Sequence, residues 1–403
     1  MIRVGLIGKT NVGKTTFFNS ATLLNAEMSI RPFTTRQQNV GVAYVSSLCV
    51  CREVGVQDNP KNSACVEGWR FVPIEIIDLP GLIRGAWMGK GLGNQFLNVA
   101  MQSDVLLHVV DASGSIDAGG ELKRPGVGDP VQDVYDLEEE LVMWFTKIIE
   151  RNKDRITRMS RGIGFSLDRA LWRMMSGMKV KREDVIRALD DLGFEREFSD
   201  WTEEDVKAFA RKIREISKPT LIVANKMDLP HAEKNFERLM EAFKTTFLVP
   251  CSAESELALR RAEGLDLIKY VPGEETFRVV NEGRLSTRQS AALGYVQRKV
   301  FSRWMRTGVQ FTLNSAVFKL LSMNAVYPVD DVNKLSDKDG NVLPDVLLIP
   351  PDSTVHDLAR QIHTELAKTM VCAIDARTGL RLPKNYVVRD RDIIKIVAAA
   401  ERR

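Results

Sequence analysis

The chain has 403 residues, 44% hydrophobic and 27% charged, with Lys+Arg 57 against Asp+Glu 53 for a net charge of +4. That balance excludes a disordered or collagen-like chain, and no apolar run approaches the ~20 residues of a membrane-spanning helix. At ~150 residues per domain the length predicts two or three domains, each able to bury a core without disulfide or metal staples.

Ile2–Ile7 is a continuous apolar run ending in Gly8 and reads as a buried strand. No signal-peptide cleavage pattern accompanies it, which predicts a cytoplasmic protein with no membrane association. A helix is expected from Thr15 to Leu24. Strands are expected at Phe71–Ile77, Asp104–Val110, Thr220–Ala224 and Phe247–Pro250. Strands spaced by helices predict a mostly parallel sheet covered on both faces. A long helical stretch interrupts that pattern. Over Asp133–Arg151, Val134, Leu137, Leu141, Phe145, Ile148 and Ile149 fall on one stripe, and Ser199 and Thr202 resemble helix starts. Past Val271 a basic helix is expected over Ser286–Thr307 and another over Ala316–Met323. The last eighty residues alternate strands (Val326–Val329, Val346–Ile349, Val371–Ile374, Ile393–Val397) with a helix at Thr354–Lys368. The domain plan is therefore a nucleotide domain (1–113 and 218–271), a helical insertion (114–217), a basic connector (272–324) packed on the nucleotide domain, and a small α+β module (325–403).

Charge is uneven along this plan. Residues 147–187 hold twelve basic and five acidic side chains, and residues 278–319 hold eight basic and one acidic. Between them, residues 190–205 carry eight acidic side chains and one basic. Two basic segments in a nearly neutral chain suggest polyanion contacts, with solvated helix faces as the plain alternative. Five cysteines in such a chain do not make a disulfide framework. Cys49, Cys51 and Cys65 cluster with Asp58 in a spacing that could hold Zn²⁺, although ordinary buried thiols on a hairpin are the simpler expectation. Cys251, Cys372 and His108 read as core, and Trp304 as a buried helix face or a stacking platform for a base. Trp87 and Met88 read as exposed partner contacts or as packing against the insertion.

The chemistry concentrates in four loops. Gly8-Lys9-Thr10-Asn11-Val12-Gly13-Lys14-Thr15, between a strand and a helix, matches the phosphate-binding loop. Gly8, Asn11, Val12, Gly13 and Thr16 would offer backbone N–H groups, Lys14 would reach the β- and γ-phosphates, and Thr15 would ligate Mg²⁺. Asp78-Leu79-Pro80-Gly81 ends another strand; Asp78 would hold Mg²⁺ through water and Gly81 would sense the γ-phosphate. Asn225-Lys226-Met227-Asp228 places a carboxylate where it can accept from guanine N1–H and N2–H₂, donors that adenine lacks together. Ser252 and Ala253 would add backbone contacts to the guanine carbonyl. Each motif closes a strand, the edge where open α/β sheets bind ligands.

Together these motifs resemble the Obg-related branch of translation-factor-class P-loop GTPases, within it the YchF/Ola-like group. Gly85-Ala86 and Gly89-Lys90-Gly91-Leu92-Gly93-Asn94-Gln95-Phe96-Leu97 are similar to the Obg switch II signature, and Pro32-Phe33-Thr34-Thr35 to its switch I. The resemblance implies Thr35 as a Mg²⁺ ligand and γ-phosphate sensor, so that Lys14, Thr35 and Gly81 would carry catalysis. Ser353–Ala359 and Asp390–Ile394 are similar to a TGS domain. The implied fold is an α/β P-loop GTPase domain with a helical insertion and a C-terminal β-grasp (ubiquitin-like) TGS domain. Leu82 stands where many GTPases place a water-orienting Gln, which implies slow hydrolysis or help from another group. Asn11 matches an Asn that holds K⁺ in related GTPases; the alternative is an Asn that only shapes the loop. Asp228, where some relatives carry Glu and use ATP, predicts GTP. The implied function is a monomeric, nucleotide-dependent switch that binds GTP and GDP and engages the ribosome or its RNA. Two alternatives stand beside it: an RNA-binding module with a mainly structural nucleotide, and an ATP-linked regulator.

Overall fold

A computed structural model describes residues 1–22, 39–81, 85–88, 93–162, 164–195 and 197–399. In chain order its strands are β1 (Arg3–Ile7), β2 (Asn39–Leu48), β3 (Ala64–Val66), β4 (Trp69–Asp78), β5 (Val105–Asp111), β6 (Thr220–Asn225), β7 (Leu248–Pro250), β8 (Ile268–Lys269), β9 (Arg278–Val279), β10 (Asn324–Pro328), β11 (Leu347–Ile349), β12 (Met370–Asp375), β13 (Arg381–Leu382) and β14 (Ile393–Ala398). The principal helices up to the connector are α1 (Lys14–Thr22), α2 (Val50–Val54), α3 (Gly93–Met101), α4 (Pro130–Arg151), α5 (Lys153–Ser160), α6 (Leu167–Met175), α7 (Arg182–Leu192), α8 (Glu203–Ser217), α9 (Ala232–Ala242), α10 (Ala253–Gly264) and α11 (Thr287–Val296). The chain divides into two compact units: Ile2–Gly41 with Glu75–Thr312, and Met1 with Val42–Ile74 and Leu313–Arg403.

In the first unit the strand order is β4-β1-β5-β6-β7, and every neighbouring pair is parallel. β5 reads Val-Leu-Leu-His-Val-Val-Asp and is buried at every position, as a central parallel strand covered on both faces must be. α4 starts where Asp129 accepts hydrogen bonds from the N–H groups of Val131 (3.0 Å) and Gln132 (3.5 Å), with Pro130 next, where its missing N–H costs nothing. The predicted stripe faces inward: Val134, Leu137, Leu141, Phe145 and Ile149 are buried, and Ile148 is half-buried at its margin. Thr202 and Asp205 form a reciprocal capping box at α8, whereas Ser199 lies inside a short 3₁₀ turn and caps nothing. Phe194, Phe198 and Phe209 surround Trp201 at centroid distances of 4.7, 4.8 and 5.4 Å. The helix expected over Ser286–Thr307 is α11 followed by a π-helical stretch, Gln297–Phe301, and one last turn.

In the second unit β3 and β4 form a hairpin turning at Glu67 (φ 49°) and Gly68 (φ 76°), with Cys65 opposite Arg70. The positive φ pair is what a two-residue type I′ turn requires. The C-terminal residues form a separate sheet, β11-β10-β14-β12-β13, with β10 and β14 parallel and the other pairs antiparallel. Its helix begins at a Thr354/Asp357 capping box and breaks at His363 (φ −163°, ψ 135°), so the expected single helix is two. The sequence pattern missed β2, β3, β8, β9 and β13. It also gave no sign that residues 42–74 group with the C-terminal sheet.

Candidate nucleotide site

The sheet of the first unit delivers its loops to one edge. Gly8 follows β1 with φ 144°, and a Cβ there would lie 2.3 Å from the Val109 carbonyl oxygen. Gly13 has φ 98°, and a Cβ there would lie 2.3 Å from Asn225 Nδ2. Both positions need glycine. Gly81 comes equally close to the loop: its Cβ would meet Thr10 Cγ2 at 2.3 Å. Lys14 opens α1, and Thr15 and Thr16 lie in its first turn. The Lys14 ammonium donates to the carbonyl of Gly8 at 3.0 Å and to that of Lys9. Burial lowers its pKa to about 8, partly offset by the Asp78 carboxylate.

Asp78 ends β4. Its Oδ2 accepts from Thr15 Oγ1 at 2.7 Å and from Asn39 Nδ2 at 3.4 Å. Among the described residues its Oδ1 is buried without a hydrogen-bond partner. An oxygen-only donor set with one unsatisfied buried carboxylate oxygen suits a hard cation such as Mg²⁺. Asn11 (φ 62°) donates its side-chain N–H to the Gly120 carbonyl at 3.0 Å, a contact that shapes the loop. Switch I (Pro32–Thr35), Leu82 and Gly89–Leu92 lie outside the described residues, so the expected role of Thr35 has no geometry here.

The end of the site that the sequence assigns to the base is organised around three side chains. Asn225 donates from Nδ2 to the Val12 carbonyl at 2.9 Å and accepts at Oδ1 from the Ala253 N–H at 3.0 Å, tying two loops together. The Ala253 N–H, which the sequence assigns to the base, faces Asn225 Oδ1 in this arrangement. Asp228 accepts at Oδ1 from Ser252 Oγ at 2.9 Å and at Oδ2 from the Tyr295 hydroxyl at 3.3 Å; the same hydroxyl lies 3.0 Å from the Asp228 carbonyl. Lys226 is held by Asp111 at 3.0 Å. Asp111 in turn accepts from the N–H and Oγ of Ser113 (3.0 and 2.6 Å) and of Ser115 (3.0 and 2.6 Å).

Three of these positioning residues were missed. The Asp-x-Ser-x-Ser spacing after β5 is a local signal that could have pointed to Asp111. Tyr295 lies 67 residues from Asp228 and carries no such signal. Glu140, buried on α4, accepts from the Gly85 N–H at 2.6 Å and the Trp87 N–H at 3.2 Å, so the helical insertion holds the segment that follows Gly81. Lys147 adds its ammonium 5.3 Å from the Trp87 ring centroid. Trp87 is thus half-buried against α4, while Met88 beside it is exposed. Trp304 is half-buried and packs edge-on against Phe236 at 5.6 Å, a contact that suits the buried-helix-face reading. His108 and Cys251 are buried, and Cys372 is half-buried on β12. Several cations of the basic segments are paired: Arg161 with Glu197, Arg182 with Asp168, Lys179 with Asp104, Arg303 with Glu233 and Arg306 with Glu275.

Comparison with known proteins accounts for this arrangement. Family models described as "50S ribosome-binding GTPase", "Obg-like GTPase YGR210-like, G4 motif-containing domain" and "TGS domain" match residues 3–147, 223–331 and 335–398. An uncharacterized GTP-binding protein of Methanocaldococcus jannaschii is 44% identical over 401 residues, 100% of both chains. The chain belongs to the Obg-like, YchF-type GTP-binding proteins. The crystal structure of a GTP binding protein from Pyrococcus horikoshii OT3 superposes on this YchF-type chain with TM-score 0.79 at 33% identity, over 99% of this chain and 100% of that one. The ribosome-binding ATPase YchF of Bacillus subtilis is 30% identical over 271 residues, 64% of this chain and 67% of that one. The C-terminal sheet is the TGS domain. Among the described residues no helix is long and apolar enough to cross a membrane.

Proposed function

We propose that this YchF-type protein binds GTP with Mg²⁺, hydrolyses it slowly in the cytoplasm, and uses the bound nucleotide to set its affinity for the ribosome. The observation that carries guanine choice is the Asp228 carboxylate, oriented by Ser252 and Tyr295 and able to accept from the guanine N1–H and N2–H₂ edge. Lys14 and the N–H groups of Gly8–Thr16 would bind the phosphates, with Gly81 against the γ-phosphate. Thr15, Thr35 and, through water, Asp78 would hold Mg²⁺, which when bound supplies charge neutralisation on the phosphate oxygens. Leu82 has no group to orient water, which supports slow turnover.

The switch reading rests on Glu140, whose carboxylate grips the backbone just after Gly81. Rearrangement of that segment on loss of the γ-phosphate would reach the insertion through α4. A ribosomal partner is supported by the names of the matching family and of the Bacillus relative, and by the basic segments.

The test is co-sedimentation with ribosomes at fixed moderate salt in GDP, in a non-hydrolysable GTP analogue, and without nucleotide. Stronger sedimentation with the analogue is expected. Equal sedimentation in all three, fading with salt, would leave only non-specific polyanion contacts, and the reading of an RNA-binding module with structural nucleotide would gain. No sedimentation would remove the ribosome and keep the GTPase. Because the Bacillus relative is named an ATPase, competition of ATP against labelled GTP decides the nucleotide; Asp228 predicts GTP. Equal hydrolysis in K⁺ and Na⁺ is the result if Asn11 only shapes its loop.

A further inference from the structure

Away from the nucleotide, in the second unit, three thiols and a carboxylate converge. Cys49 ends β2's run at the N-cap of α2, Cys51 lies in the first turn of α2, Asp58 in the following loop, and Cys65 on β3. These are three separate stretches of chain, yet their ligand atoms all lie within 4.8 Å of one another. Cys49 Sγ is 3.2 Å from Asp58 Oδ2, and Cys51 Sγ is 3.9 Å from Cys65 Sγ. A tetrahedral Zn²⁺ site with Zn–S near ~2.3 Å and Zn–O near ~2.1 Å has S···S edges of ~3.8 Å and S···O edges of ~3.5 Å. The Cys51–Cys65 pair lies at the S···S edge, and the Cys49–Asp58 pair, drawn together as a hydrogen bond, lies a few tenths of an ångström inside the S···O edge. They do not match a disulfide, whose sulfurs are ~2.05 Å apart.

Packing alone does not ask for this convergence. A buried thiol is a small hydrophobe that serves singly, as Cys251 does elsewhere in the chain. We propose that Cys49, Cys51, Cys65 and Asp58 form a closed structural site for Zn²⁺. The soft thiolates select Zn²⁺ over Mg²⁺ or Ca²⁺, and four protein ligands leave no open position for chemistry.

The surroundings say what the site braces. Arg70, whose side chain is fully buried, donates to Asp58 Oδ2 at 2.9 Å and to the Leu343 carbonyl, and its guanidinium lies 5.5 Å from the Tyr327 ring centroid. A ligand carboxylate oriented by a buried cation is the usual second layer of a metal site. The loop that carries Asp58 then runs along the TGS domain. Asn59 N–H donates to the Val342 carbonyl at 2.8 Å, Lys61 N–H to that of Pro344 at 2.7 Å, and Asn62 exchanges bonds of 2.9 and 3.0 Å with Val346. Zinc therefore fixes the platform on which residues 337–346 dock.

The experiment uses the full chain, purified without chelator. Elemental analysis is expected to give one zinc per chain. After stripping, Co²⁺ is expected to saturate at one equivalent with thiolate charge-transfer and intense tetrahedral d–d bands, both displaced by Zn²⁺. Cys51→Ser with Cys65→Ser is expected to lose these bands, and Cys251→Ser with Cys372→Ser to keep them. Chelation is expected to speed proteolysis within residues 55–63 at least tenfold. If the double serine variant fails to fold, Asp58→Asn with the wild-type Co²⁺ titration decides, since loss of one oxygen ligand shifts the d–d bands of this site alone. A folded, GTP-binding chain that takes up neither zinc nor cobalt overturns the proposal. So does a Cys51–Cys65 disulfide found by mass spectrometry, or cobalt bands that survive without Cys51 and Cys65.

Discussion

At the scale of single residues, the proposed base site is held by groups far apart in sequence. Tyr295 has its hydroxyl on both the carbonyl and the carboxylate of Asp228. Removing it with Tyr295→Phe takes away a hydrogen bond to a charged acceptor while leaving the ring in place. A loss of about 1 kcal/mol in guanine binding is expected, roughly fivefold in Kd. Calorimetry with GDP and with ADP checks it: the GDP affinity falls and the ADP affinity stays, because adenine never uses the oriented carboxylate. An equal fall for both nucleotides would mean that Tyr295 supports only the local fold. Asp228 itself was legible as a candidate from Asn-Lys-x-Asp after a strand. Tyr295 was not, since a tyrosine on a basic helix looks the same whether its hydroxyl meets water or a carboxylate.

At the scale of elements, the central strands were readable because burial on both faces leaves near-continuous apolar runs. β2 was not: Asn39–Leu48 mixes Asn, Gly, Ala and Ser with its valines, and its first positions are exposed. His108 is the exception inside the readable core. Burial first, then the charges of Arg214, Lys14 and Lys9, lower its pKa to about 3. The unfolded chain takes up that proton near ~6.5. Between the two values the unfolded state binds more protons, so stability rises with pH; it is complete above ~6.5 and is lost as pH falls towards ~3. From about pH 7 to about pH 5 this one group removes about 2 kcal/mol. Urea unfolding of wild type and His108→Leu at those two values checks it. The stability difference between the proteins should change by that amount, and a pH-independent difference would refute the assignment. A second element carries the coupling to the insertion. In Glu140→Gln one oxygen is left to accept, and an NH₂ group faces the other backbone N–H. That mismatch costs about 1–3 kcal/mol locally. Amide exchange at residues 85–88 is expected to quicken about tenfold or more. Unchanged exchange would break the link between α4 and the segment after Gly81.

At the scale of the whole molecule, the two units share one strand. β4 gives its first residues to the unit that holds the TGS domain and its last, ending at Asp78, to the nucleotide unit. No periodicity could announce this, because the partners of residues 58–70 lie some 270 positions later: Leu343 for Arg70, Val346 for Asn62. Arg70 is where those partners meet. It pairs with Asp58, caps the Leu343 carbonyl and covers Tyr327, all without exposure to solvent. Arg70→Met keeps the length of the side chain and removes its charge, leaving a half-buried carboxylate and a carbonyl without their donor. Breaking one side of a buried ion pair in this way costs about 3–5 kcal/mol. The cost falls on one unit, so chemical denaturation of the full chain should separate into two transitions, with the earlier one reported by proteolysis around residues 55–63 and 337–346. The residues proposed to bind the nucleotide belong to the other unit, and GDP affinity should stay within about twofold, a change under about 0.5 kcal/mol. A variant that loses both together would show that the nucleotide unit does not hold its own stability. Ligand linkage then sharpens the result: saturating GDP should raise only the later transition.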